Sequence, residues 1–259
     1  MDKKVFYLSD HRSLLIWRLS GPVSFRNIST QLIVSLEDDI HLSYEDSNER
    51  LAGRSFLIPT QENVRLDTGN SLIVCVVLDY FGEDFDSLKT SMQAANFTDN
   101  ESSCYSGYSQ EDEFICALRD IYQTSPPANN VFETLEGLLD TPLGKLLNQP
   151  DPRVIAAGTY IKENSHRQVG VDEIAKHVCL SVPRLTQLFK KVTGTSIRRF
   201  RLWHRIYRVV ELSGQGIGLS HAASEAGFAD YAHFSRSFKE MGGILPSYMF
   251  SNSGTTQIM

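Results

Sequence analysis

The chain has 259 residues, a 41% hydrophobic fraction and a formal net charge of −6, values that suit about two globular domains with ordinary cores. No apolar run reaches the ~20 residues of a membrane span, and Lys3 and Lys4 precede only the short run Val5–Leu8, so neither a membrane segment nor a signal peptide is read. Cys75, Cys104, Cys116 and Cys179 lie outside metal-chelating spacing, which points to incidental thiols in a reducing cytoplasm, with no metal and no cofactor expected.

The first 82 residues read as short β-branched and apolar runs: Ser13–Leu19, Thr30–Leu36, Ile40–Tyr44, Arg54–Pro59, Asn63–Thr68 and Ser71–Leu78. Turn chemistry at Gly21-Pro22, Glu37–Asp39, Asp46–Asn48 and Gly69-Asn70 separates them, which predicts a sandwich or small barrel. After Gly82 the period becomes helical. Phe85, Leu88, Met92 and Ala95 share one face, Phe114, Leu118, Ile121 and Tyr122 another, and Leu135, Leu138, Leu139, Leu143, Leu146 and Leu147 continue the rhythm around Pro142. These helices either cover the strands or pair with a second copy. The pairing reading assigns a homodimer contact to Phe114, Leu118, Ile121, Leu135, Leu138 and Leu139, since operators are commonly read by symmetric dimers.

Residues 1–148, with helices from about 83 to 148, form the expected first domain. Residues 149–152, including Pro150 and Pro152, are the expected linker, residues 153–250 a second domain, and residues 251–259 a disordered tail. The net charge hides a division at this boundary. Arg153–Phe250 holds 14 Lys+Arg against 7 Asp+Glu, net +7, which leaves −13 for the rest. A basic half attached to an acidic half points to nucleic-acid contact through the former and sensing or pairing through the latter.

The basic half reads as nearly all helix and contains a helix-turn-helix pattern twice, at Ile174–Gly194 and Ala222–Gly243. Such a unit pushes the start of its second helix into the major groove. In the first unit Ser181 is placed to cap the reading helix and Leu185, Leu188 and Phe189 face the core. Val182, Pro183, Arg184, Thr186, Gln187 and Lys190 are then left outside. In the second unit Asp230 is the cap and Phe234, Phe238 and Met241 point inward, leaving Tyr231, Ala232, His233, Arg236 and Lys239 outside. Arg236 suits guanine O6 and N7, Gln187 suits adenine, and the apolar groups of Val182, Pro183, Thr186, Tyr231 and Ala232 suit a thymine methyl. His233 shares this base-reading face. Arg184, Lys190, Lys191, Arg198 and Lys239 are read as phosphate contacts, which position without specifying. Between the units, a helix of roughly 17 residues capped by Thr195 or Ser196 extends about 25 Å. With its turns it approaches the ~34 Å repeat that separates consecutive major-groove segments.

The residues from Val154 to Pro246 resemble the AraC/XylS family of bacterial transcription regulators. The resemblance rests on Ile174-Ala175, Ser181, Leu185, Leu188-Phe189-Lys190, Gly194-Thr195-Ser196, Phe200, Arg205, Gly227-Phe228, Phe234, Arg236, Phe238-Lys239, Gly243 and Pro246. It implies promoter DNA as partner, control through RNA polymerase, and base reading by the outward faces just named. The chain departs from the pattern at Leu245 before Pro246 and at Met249-Phe250, where Tyr-Arg is expected, with Tyr248 one position early. The first half resembles the family's cupin-like sensor domain, with Arg54–Pro59, a polar turn and Asn63–Leu66, but Phe25, Arg26, Asn27 and Val64 stand where a metal-binding cupin has histidines. The expected architecture is therefore α+β: an N-terminal cupin-like β-barrel with dimerisation helices, then an all-α double helix-turn-helix domain. The expected function is sequence-specific transcription regulation, not catalysis, modulated by a small-molecule effector. A first domain used only for dimerisation or protein partners is the alternative.

Overall fold

In the computed structural model the residues described are 3–44, 47, 49–95, 97, 103–140, 150–250 and 254–258. The strands in the first half are β1 (Lys4–Leu8), β2 (Ser13–Arg18), β3 (Val23–Arg26), β4 (Gln31–Ser35), β5 (Ile40–Tyr44), β6 (Leu51–Gly53), β7 (Ser55–Ile58), β8 (Asn63–Asp67), β9 (Leu72–Val77), β10 (Gln93–Ala94) and β11 (Tyr105–Ser106). Helices α1 (Asp84–Thr90), α2 (Glu111–Thr124) and α3 (Ala128–Leu139) accompany them. The second half is α4 (Pro152–Glu163), α5 (Val171–His177), α6 (Val182–Thr193), α7 (Ile197–Gly214), α8 (Leu219–Glu225), α9 (Tyr231–Gly242) and α10 (Pro246–Met249), followed by β12 (Gly254–Ile258).

The strands form an eight-stranded sheet, β10-β11-β7-β4-β9-β2-β1-β12, and a four-stranded sheet, β3-β8-β5-β6. The cupin-like, sheet-rich expectation holds, but the sheets face each other without closing a hydrogen-bonded barrel. Strand β9 shows why the large sheet is the middle layer. It is buried at every residue, and because successive side chains point to opposite faces, Leu72, Val74 and Val76 meet the helices while Ile73, Cys75 and Val77 meet the small sheet. A buried ion pair ties α1 to the β1–β2 turn: the Arg12 guanidinium donates to both Asp84 carboxylate oxygens at 2.9 and 2.5 Å.

The pairing reading of α2 and α3 is corrected here. Phe114, Leu118, Ile121, Leu135, Leu138 and Leu139 are 0–8% exposed and pack with Leu14, Leu32 and Val76 of the same chain. Residues spaced three and four apart form one stripe, and this stripe covers the large sheet rather than a second copy. The outward positions of these helices, such as Asp112, Glu113, Asp120, Glu133 and Thr134, are polar. Leu143, Leu146, Leu147 and the first part of the expected linker lie outside the described residues. The tail expected to be disordered is also corrected: Gly254–Ile258 adds a parallel strand to β1, with Lys4 opposite Gly254 and Leu8 opposite Ile258. β1 otherwise has a free edge, and an unpaired row of backbone groups accepts any extended segment that reaches it.

Candidate nucleic-acid interface

The second half repeats one local design twice. In the first unit Leu180 N–H donates to the Ala175 carbonyl at 2.9 Å, and in the second Phe228 N–H donates to the Ala223 carbonyl at 3.0 Å. Both turns require a left-handed residue. Gly227 supplies it in the second at φ 80°, whereas Cys179 adopts it in the first at φ 53°. The reading helices α6 and α9 each have 12 residues and end on a left-handed glycine, Gly194 at φ 69° and Gly243 at φ 71°.

Capping follows the sequence with one difference. Asp230 accepts from His233 N–H at 2.6 Å, and Ser196 accepts from Arg199 N–H at 3.3 Å to open α7. Ser181 has the extended backbone of a cap, but its hydroxyl makes no capping bond; Pro183 at the helix start instead removes a donor that would need one. Leu185, Phe189 and Phe234 are fully buried and Met241 is 7% exposed. Leu188 and Phe238 are half-buried against the same cores.

The opposite faces are open. Pro183, Arg184, Thr186, Gln187, Lys190, Lys191, Arg198, Ala232, Arg236 and Lys239 are exposed, while Val182, Tyr231 and His233 are partly covered. Gln187 and Arg236 occupy equivalent positions of the two reading helices, so the repeat presents a long polar group at the same place on each. Arg184 Nη1 donates to Gln187 Oε1 at 3.1 Å, an oxygen that still has a second lone pair for a base amino group. Behind α6, the Tyr160 hydroxyl and Arg167 guanidinium both donate to Glu173 at 2.6 and 2.5 Å. They hold that carboxylate down to about 2 and fix α5 against α4. Two arginines of α7 are engaged within the chain: Arg205 donates to the Arg167 carbonyl at 3.3 Å, and Arg208 to Glu211 one turn along the same helix at 2.5 Å.

Helix α7 spans 18 residues, about 27 Å at 1.5 Å per residue, and joins the two units. Sequence reasoning missed that the first half grips both of them. At α6, Gly194 abuts Thr60, Gln61 donates to Thr195 Oγ1 at 3.0 Å, and Arg199 donates to Gln61 Oε1 at 2.7 Å. At α9, the backbone of Gly243 approaches Val23 and Ser24 of β3 so closely that an added Cβ would lie 2.9 Å from Val23 Cβ. Lys162 pairs with Asp10 at 2.6 Å, and Phe81 fills the space left by Gly158. The Pro59–Glu62 turn that carries the first of these contacts holds Gln61 at a left-handed φ of 76°, which no pattern in the sequence announced.

The departures at the chain's end serve this same contact. The Tyr248 hydroxyl donates to the Arg18 carbonyl at 2.7 Å and its ring lies 4.3 Å from the Lys4 ammonium. Phe250 stacks on Phe6 at 5.6 Å and packs on Phe238.

Comparison with known proteins agrees with this geometry. A family model described as a helix-turn-helix domain matches residues 174–252. The arabinose operon regulatory protein of Escherichia coli (strain K12) is 34% identical over 99 residues, 38% of this chain and 34% of that protein. The HTH-type transcriptional regulator GbdR of Pseudomonas aeruginosa is 30% identical over 106 residues, 40% of this chain and 29% of its own length. The matched segments thus span about a third of the curated relatives. Over nearly the whole chain, the fold is that of ToxT from Vibrio cholerae O395, with a TM-score of 0.60, 14% identity, and 94% and 100% of the two chains covered. A ToxT structure from strain SCE256 bound to an unsaturated fatty acid gives a TM-score of 0.58 at 13% identity, covering 93% of this chain and 95% of that one.

Proposed function

We propose that this chain, whose residues 174–252 match a helix-turn-helix domain, is an AraC-type, sequence-specific transcription regulator reading two adjacent major-groove segments per protomer. The observation that carries the proposal is the pair of equivalent open faces, headed by Gln187 and Arg236, on reading helices joined by α7. Arg236 reads guanine and Gln187 adenine, with Val182, Pro183, Thr186, Tyr231, Ala232 and His233 completing the base-facing surface. Arg184, Lys190, Lys191, Arg198 and Lys239 take phosphates. Promoter DNA is the partner, in the cytoplasm, and RNA polymerase is the machinery contacted.

The first half acts as the regulator of the second. Its contacts at Gly194 and Gly243 support a mechanism in which an effector changes the relative setting of α6 and α9, and hence the match to two groove segments. That ToxT, a protein of this fold, binds an unsaturated fatty acid supports a small-molecule effector here. A homodimer is part of the proposal, formed through a surface other than the buried stripe of α2 and α3. The test is selection of bound fragments from genomic DNA at two salt concentrations. Recovery of sites with two conserved blocks one helical turn apart, bound less tightly at the higher salt, supports the reading. Fragments without shared blocks overturn it.

A further inference from the structure

The outer face of the small sheet is basic, although it belongs to the acidic part of the chain. Successive side chains of a strand point to opposite faces. Phe25, Val64 and Leu66 turn into the core, so Ser24 and Arg26 of β3 and Asn63 and Arg65 of β8 point outward, and all four are exposed. The register sets Ser24 opposite Arg65 and Arg26 opposite Asn63, which makes the two arginines diagonal neighbours with backbones about 7–8 Å apart.

Their charge is not neutralised. Among the described residues Arg65 makes no ion pair, and Arg26 donates from Nε to the Gln61 carbonyl at 3.4 Å. The neighbouring acids are engaged elsewhere: Glu62 accepts from the Ser103 hydroxyl, and Asp67 from Gly69 N–H at 3.2 Å. The strip continues onto the second half. Arg199 donates to the Gln61 side chain at 2.7 Å, so Gln61 stands between Arg26 and Arg199. Burial first and Arg26 next hold the Arg199 guanidinium below its ordinary pKa, with Glu240 opposing them and Arg198 adding to them. Arg198 itself is exposed and, among the described residues, makes no ion pair.

The strip lies where a bound duplex would pass. Each reading helix has 12 residues, about 18 Å, which exceeds the ~12 Å width of the major groove. A helix that enters by its N-terminal turns therefore carries its C-terminal end out past the bounding backbone. Both of these ends abut the small sheet or the turn that leads into it: Gly194 meets Thr60, and Gly243 meets Val23 and Ser24. The outer face of the sheet thus comes alongside the backbone that separates the two segments read.

We infer that the first half itself touches DNA, with Arg26 and Arg65 of the small sheet binding backbone phosphates between the two major-groove segments. The inference rests on the regulator reading and extends the surface that reading uses. Arginine, serine and asparagine are phosphate-contacting side chains, and the strip is continuous with the open faces of α6 and α9. An acidic protein partner fits less well, because protein interfaces draw their energy from buried aromatic and apolar anchors, and these four outward residues offer none.

The test is binding of the full chain to a selected site, followed by fluorescence anisotropy from 50 to 200 mM salt. The double variant Arg26→Ala/Arg65→Ala is expected to have a salt slope shallower by about 1.8, at about 0.9 per phosphate. Wild type then loses about tenfold more affinity than the variant across that range. Arg26→Lys/Arg65→Lys should keep the wild-type slope, since an ammonium also serves a phosphate. So should Lys89→Ala on α1, which lies across the large sheet from this face. Ethylation interference locates the contacts: phosphates between the two protected segments should be sensitive with wild type and insensitive with the alanine variant. The wild-type map alone decides the matter if that variant does not fold. An unchanged slope in the alanine variant, an equal change in the lysine variant or in Lys89→Ala, or no sensitive phosphate between the segments overturns the inference. DNA binding with an unchanged slope sinks this inference alone, whereas absence of DNA binding by wild type sinks the regulator reading and this inference with it.

Discussion

Replacing Gly243 by alanine tests whether the first half holds the second reading helix. Gly243 and Gly216 both have left-handed backbones, at φ +71° and +88°. Each therefore charges an alanine about 1 kcal/mol or somewhat more, part of which is offset by the lower entropy of the unfolded chain. Their surroundings differ. An added methyl at Gly216 meets nothing within 4 Å, whereas at Gly243 it lies 2.9 Å from Val23 Cβ and 3.2 Å from the Ser24 carbonyl oxygen. Neither neighbour is the far end of a flexible side chain, so β3 and α9 must separate, at the 1–3 kcal/mol typical of overpacking. In thermal unfolding, with about 2–4 °C per kcal/mol for domains of this size, Gly216→Ala is expected to lower the midpoint by about 2–4 °C. Gly243→Ala should lower it by at least about twice that, and should also change affinity for a promoter fragment. Equal midpoints for the two variants would refute the reasoning that α9 is pressed onto β3.

Arg236→Ala is expected to relax preference at a single base position by about 1–3 kcal/mol, whereas Lys239→Ala weakens all sequences alike and makes the salt slope shallower by about one; binding to a panel of single-base variants reads both. Cys179→Gly should raise stability by about 0.5 kcal/mol, because relief of a left-handed non-glycine residue outweighs the extra freedom of glycine in the unfolded chain, and urea unfolding measures it. Burial pushes the half-buried imidazole of His204, which lines the junction between the halves, down to about 4. Its folded-state value lies below the unfolded value near 6.5, so stability is expected to be full above that value and to fall progressively as pH drops from about 6.5 toward 4. Thermal midpoints at pH 7.5 and 5 should show the loss, and a smaller loss in His204→Phe; equal losses in the two proteins would assign the effect elsewhere.

Local chemistry carried the second half in the sequence. Repeated apolar spacing, Asp230, Ser196 and the two closing glycines fix helices whose partners lie nearby in the chain, so outward residues such as Arg236 and Gln187 could be read directly. Six strands were legible as well, Ile40–Tyr44 to the residue, but β1, β3 and β6 were not read, and β10 and β11 lie in the stretch expected to be helical, with Met92 and Ala95 beyond the end of α1. What escaped were choices among long-range partners. The stripe containing Phe114 and Leu118 announces burial but not against what, and the large sheet satisfies it as well as a second copy would. Gln61 bonding across to Thr195 and Arg199, and a tail strand meeting β1, depend on which surfaces the fold brings together. Polar side chains and a Gly-Thr-Thr run carry no periodic trace of that.

The central claim, two groove segments read by one protomer, is tested most directly by chemical footprinting of a selected site with wild-type protein, Arg236→Ala and Gln187→Ala. The account predicts two protected major-groove segments about one helical turn apart for each bound protomer, with each variant losing base protection in a different segment. Protection of a single segment, or loss in the same segment from both variants, would contradict it.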